Sequence, residues 1–234
     1  MIPPRSHLGR TLVTLAALAA VGCGGATGNV PIGARPAAAQ GDVEPAWADS
    51  LEPPSTGALP PVGYGTLNQD DITVFVQSGD LQVKAVPLAE WVIRLTAPDT
   101  YRRLNGYKTV RAAEILERSA RGGEDRWPLV LFVTLFTREI EDSYQPFDLQ
   151  IRNQNRIYRP IDILAVTPDY DRGRIRQEDP QIALYLFPAE IDLELPTAVL
   201  YQGAESRRWD GIRARLDAER SRVLSRAGAE ASGS

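Results

Sequence analysis

Cysteine, histidine and methionine are almost missing from this chain. Among 234 residues there is one of each, and Met1, His7 and Cys23 all fall in the first 23 positions. If the chain is cut after Gly22, what remains has no histidine or methionine, and cysteine only as its first residue. That scarcity excludes a Cys/His zinc centre, a histidine-based triad, a disulfide framework and an ordinarily ligated haem or iron–sulfur cluster. The expectation is therefore no metal and no cofactor. Lysine is scarce as well, with only Lys84 and Lys108. No apolar run reaches the roughly 18 residues a membrane-crossing helix needs.

A basic surface is lacking too. The formal charge is −4, and losing Arg5 and Arg10 takes it to −6. An acidic chain has no electrostatic basis for holding DNA or RNA, so no nucleic acid is expected as a partner.

What is present first is an address. Arg5 and Arg10 precede Thr11–Gly22, a 12-residue apolar stretch that is too short to span a bilayer and suits an export signal. It ends in Ala20-Val21-Gly22-Cys23. This resembles the lipobox of bacterial lipoproteins, although Ala20 replaces the usual Leu. The resemblance covers residues 1–23. It implies that residues 1–22 are a signal peptide and that Cys23 is the lipidated first residue, anchoring the chain to a bilayer through acyl chains. Several acyl chains hold firmly where one binds only marginally. Gly24 after the cysteine favours the outer membrane over the inner one.

Residues 24–66 contain 8 Gly, 8 Ala and 7 Pro with no hydrophobic period. Such a segment buries too little apolar surface to offset its ordering entropy. Residues 23–67 thus read as a lipidated Cys on a disordered tether, with a reach of ~35–40 Å.

Residues 68–227 read as the folded domain. Ile72–Val76 and Leu81–Val86 form a hairpin around Gln77-Ser-Gly-Asp80. A helical insertion follows at about 96–121, with one helix stopping at Asn105-Gly106 and a second from Val110 to Arg121. Leu129–Phe136 is almost continuously apolar, as in a central strand covered on both faces. Phe147–Ile151 and Ile157–Leu164 flank Asn153-Gln-Asn155 as a hairpin, with Pro160 marking an edge or bulge. Ile182–Phe187 and Thr197–Tyr201 bring the count to about seven strands. A helix over 206–226, capped by Ser206, carries Trp209, Ile212, Leu216 and Val223 on one stripe, interrupted at Glu219 and Arg220. Residues 228–234 read as a disordered tail.

Residues 127–202 resemble, in layout, the small immunoglobulin-like domains of bacterial surface lipoproteins. The fold expected is mainly β: an antiparallel immunoglobulin-like β-sandwich with a short helical insertion and a C-terminal amphipathic helix.

Candidates for chemistry are few. Arg172, Arg174 and Arg176 share a face if their segment is extended, and would suit a phosphate or another anionic ligand through bidentate hydrogen bonds. The other reading is a charged strand edge balanced by nearby acids. Glu139, Glu141, Asp142, Asp169, Asp171, Glu178 and Asp179 are the carboxylates a glycan-directed hydrolase would draw on. Asp169-Tyr-Asp171 opens like a calcium loop, but Gly173 and Pro180 break that register. Lys84 and Lys108 read as ordinary surface residues, and Trp91, Trp127, Tyr158, Tyr185 and Trp209 as packing. The favoured function is a membrane-anchored envelope lipoprotein presenting a non-enzymatic interaction module to an envelope protein or a cell-wall component. The alternative is a carboxylate-dependent envelope hydrolase.

Overall fold

Strand-forming runs, three pairs of them joined by two-residue turns, give two antiparallel sheets in the computed structural model, which describes residues 59–232. The expectations for the signal peptide, Cys23 and most of the tether lie outside those residues. The first sheet contains β1 (Val74–Ser78), β2 (Leu81–Pro87), β3 (Leu129–Thr137), β7 (Asp162–Ala165) and β9 (Gln181–Phe187), in the order β1-β2-β3-β9-β7. The second contains β5 (Leu149–Asn153), β6 (Arg156–Tyr158), β10 (Thr197–Tyr201) and β11 (Ala204–Ser206), in the order β11-β10-β5-β6. A separate two-stranded ribbon joins β4 (Glu141–Ser143) to β8 (Arg174–Arg176). The body is β-sandwich-like, with eleven strands among the described residues rather than about seven.

β3 is the central strand its apolar run suggests, paired with β2 on one side and β9 on the other. Its odd-numbered residues face the second sheet, where Leu131 shares a small void with Ile151, Val199 and Trp209. Its even-numbered residues face outward, and Phe132 lies under the ring of Tyr107 at 4.6 Å. Each such buried side chain contributes roughly 1.5–3 kcal/mol.

The strand expected over Ile157–Leu164 is two strands. Pro160 lacks the N–H a ladder requires, and the chain leaves one sheet there and joins the other. The Gln154-Asn155 turn takes φ of +51° and +61°, the mirror-image geometry that matches strand twist. Ser206, expected as a helix cap, instead ends β11, opposite Val199.

The helices are α1 (Glu90–Ile93), α2 (Pro98–Val110), α3 (Ala112–Arg121) and α4 (Arg208–Ser232). Asn105-Gly106 does not stop α2. Glycine costs a helix about 1 kcal/mol, and the turn after it is held by Lys108, which is buried against α1. α3 covers the outer edge of the first sheet. Arg111 donates to the Ala165 carbonyl at 2.9 Å and Arg118 to the Ile163 carbonyl at 3.4 Å, capping groups that an edge strand would leave open.

α4 docks on its own body through Trp209, Ile212, Leu216 and Val223, and runs on to Ser232, past the expected end at 226. The packed body also begins before residue 68. Residues 59–67 form a strap between α4 and the segment joining α1 to α2. Leu67 donates to the Leu95 carbonyl at 3.2 Å and accepts from Ala97 at 2.8 Å. Gly65 fits because a Cβ there would lie 2.2 Å from the Leu95 carbonyl carbon. Among the described residues no helix is long and apolar enough to cross a membrane.

Candidate functional site

The β4–β8 ribbon gathers most of the candidate residues. Glu141 stands opposite Arg176, Asp142 opposite Ile175 and Ser143 opposite Arg174. Arg174 and Arg176 share a face, as alternation requires. Arg172 does not join them: it ends a 3-10 turn over Tyr170–Arg172, and Gly173 at φ +63° bends the chain before the strand begins. The three arginines therefore make no single row. All three are exposed. Arg174 is ion-paired with Glu141, and Arg172 lies 3.3 Å from Asp169.

The carboxylates stay apart as well. Glu139, Glu141, Asp169 to Asp171 and Glu178 to Asp179 lie along turns and the ribbon, mostly in water, and Asp142 accepts from the Ser143 amide at 2.7 Å. Among the described residues no three acidic, histidine or cysteine side chains are gathered to hold a metal ion. One cleft is walled by Arg152, Asn155, Pro196, Glu205, Arg207 and Asp210, with Glu205 held by Arg152 at 2.7 Å and Arg207 at 2.6 Å. A second is walled by Asp70, Asp71, Arg208 and Arg215. Neither contains any of the candidate carboxylates or the arginines at 172, 174 and 176.

The root of the ribbon is a set of buried tyrosines. Tyr144 donates from its backbone to the Gly173 carbonyl at 2.9 Å and from its hydroxyl to the Tyr170 carbonyl. The Tyr170 and Tyr185 hydroxyls share a hydrogen bond, and the Tyr201 hydroxyl accepts from the Gln145 amide at 3.2 Å. Burial pushes all four phenols upward, Tyr201 to about 12 and the others beyond it. Of these, only Tyr185 was expected to pack. Tyr144 and Tyr170 sit in polar stretches with no apolar period to mark them.

A buried ionic cluster lies beneath α2. Lys108 is fully buried, contrary to its expected surface position, and its ammonium is 2.5 Å from Glu90. Arg94 reaches the other oxygen of Glu90 at 2.7 Å, and the Tyr101 hydroxyl donates to that oxygen at 3.0 Å. Burial alone would raise the Glu90 carboxyl, but Lys108 and Arg94 outweigh it and hold it well below its ordinary value. One signal does exist in the sequence. Tyr101, Leu104 and Lys108 are spaced three and four apart, which puts the lysine on the buried stripe of α2.

Glu219 is the third polar centre. It accepts from Arg222, from the Thr66 amide at 2.7 Å and from the Thr66 hydroxyl at 2.8 Å. Its carboxyl is lowered to about 2, chiefly by the Arg222 hydrogen bonds. The interruption in the α4 stripe is thus a joint and not a gap. Beside it, Arg220 stacks on Trp91 at 4.5 Å and pairs with Glu194 at 2.8 Å.

Comparison with protein-family models, with curated proteins and with solved structures finds no significant match to this chain.

Proposed function

We propose that this chain is a bacterial envelope lipoprotein that presents an immunoglobulin-like, non-enzymatic interaction module. On this reading Cys23 carries the acyl anchor in the outer membrane, and the Pro/Gly/Ala-rich segment stands the body off the bilayer. Its partner is an envelope protein or a cell-wall component.

One observation carries the binding reading, the Glu141–Arg174 pair on the ribbon. A glycan-cleaving acid is kept protonated by apolar, water-excluding walls. Glu141 instead is exposed and paired with a guanidinium, on a two-stranded ribbon seated on the body through buried Ile175 and Tyr144. Such a ribbon is suited to being contacted by a partner. The immunoglobulin-like assignment is supported by two facing antiparallel sheets and by the chain's passage between them at Pro160.

Two measurements test this. Cys23→Ala should move the protein from the membrane fraction to a soluble one, and retention in the membrane would overturn the anchor. Cross-linking of the full-length chain in cells should return one reproducible envelope partner. Turnover of any glycan by the intact protein, abolished by Glu141→Gln or Asp171→Asn without unfolding, would overturn the module reading.

A further inference from the structure

Among the described residues, only half of the outer face of the first sheet is covered. Toward one end Phe132 and Leu184 lie buried, with Tyr107 of α2 on the ring of Phe132. Toward the other, Phe75, Gln82, Lys84, Phe136 and Ile182 remain half-exposed. Register puts Lys84 directly across from Phe75 and places Phe136 across from Gln82, so one lysine stands between two aromatic rings.

Among the described residues, the charged groups over the Phe75 ring are both cations. The Lys84 ammonium lies 5.4 Å from the Phe75 ring centre and 4.7 Å from that of Phe136. From the start of α4, the Arg208 guanidinium lies 4.9 Å from the same Phe75 ring. Among the described residues neither cation makes an ion pair with a carboxylate. Elsewhere on its helix Arg215, Arg220, Arg222 and Arg226 each pair with an acid, and Arg213 donates to the Glu194 carbonyl. Asp70 and Asp71 share a cleft with Arg208, but Asp71 is bound to Arg215 at 2.8 Å. No carboxylate occupies an outward position on β1, β2, β3 or β9. One of the chain's two lysines therefore lies where β1, β2, β3 and β9 carry no acid, while Asp162 of β7, at the far edge of the same face, is held by Arg118.

We propose that this open half-face, with Lys84 and Arg208 flanking Phe75, docks an extended acidic peptide segment of a partner protein. The proposal rests on the interaction-module reading and deepens it by naming the surface and the partner's chemistry. Charge complementarity selects an anionic partner. Both cations lie within about 5 Å of one ring centre, so they are at most about 10 Å apart. An extended peptide places carboxylates two residues apart at roughly 6.6 Å on one face, which falls within that limit. The apolar residues between the acids would lie on the Phe136 and Ile182 side. A glycan is the poorer occupant, because cations already sit over the ring faces on which a sugar would stack.

The test is binding of a synthetic peptide of alternating Glu and Leu to the full-length chain in detergent, followed by fluorescence anisotropy. The Lys–Leu counterpart, polygalacturonate and phosphatidylglycerol vesicles are the comparisons. The Glu–Leu peptide should bind at least about tenfold more tightly than Lys–Leu and weaken as salt screens it. Lys84→Gln and Arg208→Gln should each weaken it about fivefold or more with the far-ultraviolet spectrum unchanged. Lys84→Glu should turn the preference toward Lys–Leu. Equal binding of the two peptides, no effect of the variants, or charge-dependent binding of the glycan or vesicles alone would overturn the proposal. A partner cross-linked in cells regardless of Lys84 and Arg208 would leave the module reading standing and remove only this surface.

Discussion

Thr66 and Glu219 are separated by 153 residues and meet in two hydrogen bonds, with the Thr66 amide at 2.7 Å and its hydroxyl at 2.8 Å from one carboxylate oxygen. Arg222 fills the rest of that carboxylate. The contact closes the body: it fastens the strap to a helix that would otherwise present a broken apolar stripe.

Glu219→Gln should therefore destabilise the fold by about 1–3 kcal/mol, since Thr66 and Arg222 lose a charged acceptor. Thr66→Val removes the hydroxyl alone and should cost about 1 kcal/mol. The double variant should cost less than the sum of the two. Urea unfolding of all three proteins measures this, and strict additivity would show that the two residues act independently.

Acid should loosen the same joint. The Glu219 carboxyl lies near 2 in the folded chain against 4.5 ordinarily, so its contribution is present above pH 4.5 and is lost as pH falls toward 2. Glu90 is lowered too and adds in the same direction. Unfolding free energy should decline across that window, and Glu219→Gln should flatten the decline.

Lys108→Met tests the cluster beneath α2. It leaves Glu90 buried with one cation fewer, a change that typically costs about 3–5 kcal/mol. Lys84→Met, at the other lysine, should fall within about 1 kcal/mol. Thermal unfolding of both variants would show the contrast, and equal shifts would contradict the burial of Lys108.

Alkaline conditions bear on the tyrosines. The folded phenols at 144, 170, 185 and 201 are raised, so stability holds below about pH 10 and falls as the unfolded chain ionises above it. Tyrosinate absorbance from these four should appear together with loss of the fold. Titration at pH 10 with the fold intact would contradict the network.

Gly65→Ala would push a methyl into the Leu95 carbonyl. The strap should lift, and amide exchange at Leu67 and Ala97 should accelerate while β3 stays protected.

Periodicity carried the parts of this fold that obey it: β3 as the central strand, the hairpins beside Gly79 and Gln154, and the α4 stripe from Trp209 to Val223. Pro160 announced an interruption but not its direction, because one missing N–H is compatible with either an edge or a change of sheet. Spacing places Lys108 on the buried stripe of α2, but what Lys108 and Glu219 bind was illegible for a different reason. A buried charge is tolerable only beside its partner, and those partners, Glu90 and Thr66, come from remote segments. The arginines at 172, 174 and 176 looked like a row because alternation assumes an unbroken strand, which Gly173 does not allow.

Tyr64 donates to Glu230 at 2.7 Å, so the strap enters the body beside the last turns of α4. Entry and exit of the chain thus lie side by side, and a short linker joining them would close the body into a ring. New ends opened at the Gln154-Asn155 turn would then give a circular permutant that retains every strand pairing.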